Sequence, residues 1–123
     1  MNTAATIQIS DIEEHSDLKK ISLSGQIDES NLADISSQID EATKMAEVKI
    51  FILDLKNLEF INSKVIGYIA SLHSRLDTEG RRIIFMKATD EILEILDLVG
   101  LINLIPNFES VEDILSAIET GEL

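Results

Sequence analysis

Ile50-Phe51-Ile52-Leu53, closed by Asp54, is an unbroken apolar run, too short for a lone helix and typical of a strand covered on both faces. Ile83-Ile84-Phe85-Met86 repeats that signature. Between the two runs, Asn62 is a good N-cap for a helix whose Val65, Ile69, Leu72 and Leu76 form one inward stripe, and Gly80 offers its C-terminal stop. Leu58 to Ile61 reads as a bridge from strand to helix, and Ser63 falls in the helix's first turn. A strand, a helix and a second strand in this order form the unit of a parallel sheet joined by a crossover.

Working outward, Ile7 and Ile9 alternate with polar neighbours, as do Ile21 and Leu23 beyond the polar stretch Asp11 to Asp17. The alternation predicts two half-buried strands paired as an antiparallel hairpin, with the acidic stretch and His15 in its turn. Leu32, Ile35, Ile39 and Ala42 then lie on one helical stripe, with Asp28, Glu29 and Ser30 upstream as capping side chains. Thr89, Asp90 and Glu91 open a third helix carrying Ile92, Ile95, Leu96 and Val99 up to Gly100. Leu101 to Ile105 reads as a short last strand closed by Pro106. Ser110-Val111-Glu112-Asp113 has capping-box spacing before Ile114, Leu115 and Ile118. The expected fold is α/β: a mixed sheet of about five strands, the first pair antiparallel and the rest parallel, with about four helices.

The 123 residues are the usual size of one domain, expected to span 1–123 with its core over about 5–120. The apolar segments are too short and too often interrupted by charge to cross a bilayer as helices. Met1 to Thr6 shows neither a basic region nor an apolar run of signal-peptide length, so the expected compartment is the cytoplasm. Twenty-three acidic against ten basic residues give a formal charge of −13, which repels nucleic acid and anionic lipid. Neither is expected as a partner. The absence of cysteine removes thiol nucleophiles, thiolate zinc sites and iron–sulfur clusters.

Catalytic signatures are missing. The five glycines are too far apart to cradle a phosphate, and His15 and His73 lack a second ligand at helical spacing. Asp11, Glu13, Glu14 and Asp17 have no calcium-loop order. Ser63 sits in no GxSxG elbow, and Lys64 beside it points about 100 degrees away around a helix. No cofactor, metal or enzymatic activity is expected. Taken alone, Ser63 reads as a plain first-turn serine, Asp28 as a capping acid, and Gly25 and Gly67 as residues permitting a turn and close helix packing.

The stretch Asp54-Leu55-Lys56-Asn57-Leu58-Glu59-Phe60-Ile61-Asn62-Ser63-Lys64-Val65-Ile66-Gly67 resembles the STAS domains of anti-sigma factor antagonists. Their pattern here is Asp-Leu, a short loop, an apolar residue beside Phe or Tyr, then Asp-Ser-Ser/Thr-Gly-Leu-Gly. Upstream, Leu23-Ser24-Gly25-Gln26-Ile27-Asp28 resembles the family's Leu-Ser-Gly-Glu-Leu-Asp turn. The family's aspartate before the serine is Asn62 here, its second hydroxyl residue is Lys64, and its first glycine is Val65.

What the resemblance implies is a partner-switching protein. Ser63 falls on the family's phosphorylated serine, and the partner-binding face would include Gly25, Asp28, Asn62, Ser63, Lys64 and Gly67. The implied partner is an anti-sigma factor that is also a serine kinase, with a serine phosphatase as a further partner; the expected state is a monomer or weak dimer. The alternatives are a non-switching STAS scaffold or sensor subunit, and a small enzyme with an unrecognised site.

Overall fold

Residues 4–123 are described by a computed structural model. The chain runs β1 (Thr6–Ile12), β2 (His15–Ile27), α1 (Leu32–Ala42), β3 (Ile50–Ile61), α2 (Ser63–Thr78), β4 (Arg82–Met86), α3 (Asp90–Leu98), a 3-10 turn (Leu101–Asn103), β5 (Asn107–Phe108) and α4 (Val111–Glu119). The five strands form one sheet in the order β1-β2-β3-β4-β5. The first pair is antiparallel and the others are parallel.

Because every crossover advances the same way across the sheet, the right-hand rule puts α1, α2 and α3 on one face. There Phe51, Leu53, Ile83 and Phe85 pack with Ile35, Ile39, Ile69, Leu72, Ile92 and Leu96 in the larger core. The opposite face is left to α4, whose Ile114 joins Ile52, Ile84 and Met86 in a smaller one. Both apolar runs are thus covered on two faces, as their lack of alternation requires.

Four local expectations are corrected. The hairpin turn is only Glu13-Glu14: β1 continues to Ile12, which faces His15, and Asp11 is drawn into the ladder by an ion pair with Lys19. Leu101 to Ile105 is not a strand. Leu101 and Ile105 are both buried four residues apart, a helical spacing, and the Ile105 N–H donates to the Leu101 carbonyl at 3.0 Å. The last strand follows Pro106 rather than ending there, the proline carbonyl accepting from the Phe85 N–H at 2.9 Å at the sheet edge. Val99 is 53% exposed, because α3 stops at Leu98 and the chain reverses at Gly100 (φ 77°). Finally, Leu58 to Ile61 belongs to β3, which matters for the site below.

Candidate functional site

The functional segments singled out in the sequence lie 34 to 42 residues apart, from Asp28 and Gly25 to Asn62 and Gly67. The long β3 brings them together. Its pairing with β2 slips twice: Ser22 faces Asp54 but Ser24 faces Asn57, and Gly25 faces Leu58 but Gln26 faces Phe60. Each slip is an extra residue in β3, a bulge that bends the strand and lets it stay beside β2 to the last pair, Ile27 and Ile61. The two strands therefore leave the sheet side by side, about 4.8 Å apart, one into Asp28 and the other into Asn62. Gly25 sits at this irregularity with φ 82°, and an added Cβ would lie 2.6 Å from the Ala4 carbonyl oxygen. Its role is a backbone one within β2, not at a turn.

Asn62 caps α2 as expected, its side-chain oxygen accepting from the Val65 N–H at 3.2 Å. Ser63 is the first helical residue and is exposed, as are Lys64 and Gly67, whereas Val65 is buried in the main core. Of the positions where the chain departs from the family motif, Val65 thus concerns packing, while Asn62 and Lys64 shape the surface. No acidic residue occupies the first turn of α2, leaving its partial positive charge available to an anion.

Asp28 does not cap α1 with its side chain. Its carboxylate accepts from the backbone N–H and the hydroxyl of Ser30, and these bonds hold it below its ordinary pKa. The helix begins at Leu32 with Asn31 as N-cap, and the Asn31 side chain turns backward: it donates to the Gln26 carbonyl at 2.9 Å and accepts from the Asp28 N–H at 3.0 Å. Asn31 so pins the loop leaving β2, a role that its single position in the sequence does not signal.

A family model described as STAS domain matches residues 10–114. The chain belongs to the STAS domain family. It is 25% identical over 109 residues to the anti-sigma F factor antagonist of Paenibacillus polymyxa, covering 89% of this chain and 93% of that one. Its fold is similar to the anti-sigma factor antagonist SpoIIAA in its unphosphorylated form, with a TM-score of 0.76, 17% identity, and 94% and 97% of the two chains covered. It is also similar to the Bacillus cell fate determinant SpoIIAA in the phosphorylated form, with a TM-score of 0.69, 18% identity, and 92% and 99% covered.

In this STAS domain the bulged end of β3 presents two further features. Phe60 is 45% exposed just before the α2 cap, an aromatic side chain of the kind that anchors protein interfaces. An open cleft of about 680 Å³ lies alongside, lined by Gly25, Gln26, Asn57 and Leu58 and closed by Thr89 and Glu91 of the α3 start. Among the described residues no group of His, Cys, Asp and Glu is arranged to hold a metal, and no helix is long and apolar enough to cross a membrane.

The two site glycines differ in kind. A Cβ on Gly67 would meet nothing within 4 Å, so close helix packing does not explain it. Gly67→Ala is expected to stabilise the domain by about 0.5–1 kcal/mol, since alanine is the better helix former. Gly25→Ala combines a left-handed backbone with the Ala4 contact and should cost about 2 kcal/mol or more. Urea denaturation of both variants checks the contrast, which equal shifts would refute.

Proposed function

We propose that this protein is an anti-sigma factor antagonist that works by partner switching. Unmodified, it binds an anti-sigma factor that is also a serine kinase and so frees a sigma factor; phosphorylation of Ser63 releases it, and a serine phosphatase resets it. In this reading it is a cytoplasmic kinase substrate rather than an enzyme. The observation that carries the proposal is the exposed Ser63 at the first position of α2, two residues after Ile61, whose pairing with Ile27 brings Asp28 beside the start of that helix. A phosphate there is favoured by the helix dipole, so modification can act on the contact surface without unfolding the domain. The similarity to SpoIIAA in both forms supports that view. Gly67 fits it too: a glycine that lowers helix stability on an exposed face leaves bare backbone for a partner.

A second reading, a STAS scaffold that does not switch, is favoured by Asn62 and Lys64, which replace an aspartate and a hydroxyl residue on that surface. Mass spectrometry of the protein purified from its native cells, beside a Ser63→Ala control, separates the two. The expected result is one phosphate on Ser63, absent in the control. Repeated absence of phosphate across growth and stress conditions would favour the scaffold.

A further inference from the structure

Asn62 uses both ends of its amide. With the oxygen committed to the Val65 N–H, the nitrogen points outward and donates to the Glu29 carboxylate. Among the described residues this is the only side-chain hydrogen bond between the loop after β2 and the start of α2. An aspartate at position 62 would cap the helix equally well but has no proton to donate, and it would set a second carboxylate against Glu29. The loop does not need the link in order to fold. Asn31 and Ser30 already close it through Gln26 and Asp28.

We propose that Glu29 is a positioning residue of the partner face: through Asn62 it holds the 28–31 loop against the start of α2, and it selects asparagine over aspartate at position 62. The consequence for regulation rests on the reading of this face as the partner-binding one. A phosphate on Ser63 adds about two negative charges one residue from Asn62 and drives the Glu29 carboxylate away. The loop then loses its hold, so modification at α2 is felt at Asp28 as well.

A double-mutant cycle tests the latch without partner or kinase. By urea denaturation, Asn62→Asp is expected to lower the folding equilibrium constant roughly threefold or more while Glu29 is present, the lost hydrogen bond and the facing carboxylates outweighing the helix-dipole gain of the new charge. In the Glu29→Gln background at least half of that loss, on a logarithmic scale, should be recovered, because a glutamine amide can donate to the new carboxylate. Glu29→Gln alone should be nearly silent, since its oxygen still accepts from Asn62. A smaller recovery, or no loss in the first place, overturns the assignment.

Backbone amide NMR tests the relay. Ser63→Glu should shift the signals of Asp28, Ser30 and Asn31, and the shifts should vanish when Glu29→Ala is added. Shifts that persist overturn the relay. A positive cycle with no phosphate found on Ser63 in cells would retire the switch and keep the latch; phosphate on Ser63 with an additive cycle would do the reverse.

Discussion

Ser63→Glu is expected to weaken capture of the proposed anti-sigma partner roughly three- to a hundredfold while leaving the domain as stable as before or slightly more so. The magnitude follows from Coulomb's law. A single charge facing one partner carboxylate at about 6 Å, with an effective dielectric of roughly 20 to 80, gives about 0.7 to 2.8 kcal/mol of repulsion. Each 1.36 kcal/mol or so is a factor of ten in affinity. A phosphate near charge −2 doubles the energy and gives roughly ten- to ten-thousandfold. Stability moves the other way. Ser63 opens α2, whose first turn carries no acid, and a carboxylate there gains about 0.3–1 kcal/mol from the helix dipole, which matches or exceeds the loss of the exposed bond between Asn62 and Glu29. Titration calorimetry with the purified partner and urea denaturation of the same samples read both quantities. Weak binding together with lost stability would mean that the substitution damages the fold. Undiminished binding would mean that the face lies elsewhere.

The order of these two effects depends on how the face is assembled, and the sequence discloses that unevenly. Asn62, Thr89 and Ser110 are legible as caps because a cap is a local device, and each accepts the N–H three residues on, as its spacing predicts. The buried runs at Ile50 and Ile83 are legible because a strand covered on both faces needs no alternation. The end of β3 is not. Its buried Leu55, Leu58 and Ile61 are spaced by three, which disguises a strand as a bridge, because each bulge inserts a residue and breaks the period of two. The contact between Glu29 and Asn62 is illegible for another reason: both are polar surface residues, and only the β2–β3 register brings them together. Val99 and the Leu101 to Ile105 segment misread because an apolar residue near a helix end fits either the stripe or the turn, and the left-handed Gly100 decides.

Arg81 is the feature that looks least important in the sequence and carries the second large expected effect. Gly80 ends α2 with φ 73°, and the Arg81 N–H returns to the Leu76 carbonyl at 2.9 Å, which turns the Arg81 side chain inward. The residue is only 7% exposed. Its guanidinium donates to the carbonyls of Val48 and Met45 and to the Glu79 carboxylate, each at 2.9 Å, and lies 5.2 Å from the centre of the Phe51 ring. One side chain thus ties the turn before β3 to the turn before β4 and covers the central aromatic of the core. Arg81→Ala should cost about 3 kcal/mol, mostly from leaving two carbonyls without their donors and removing the cation from the ring face. For a chain of this size that is a fall in Tm of roughly 10 °C. Arg81→Lys should recover less than half of the loss, since one ammonium cannot span both carbonyls in the guanidinium's planar geometry. Arg81 immediately precedes β4, whose first residue Arg82 pairs with Ile50 at the start of β3, whereas Ser63 comes after the end of β3. Partner affinity measured well below the lowered Tm should therefore be unchanged. A loss under about 1 kcal/mol would mean that water replaces the guanidinium at little cost; weakened binding in the folded variant would mean that the two ends of the sheet are coupled.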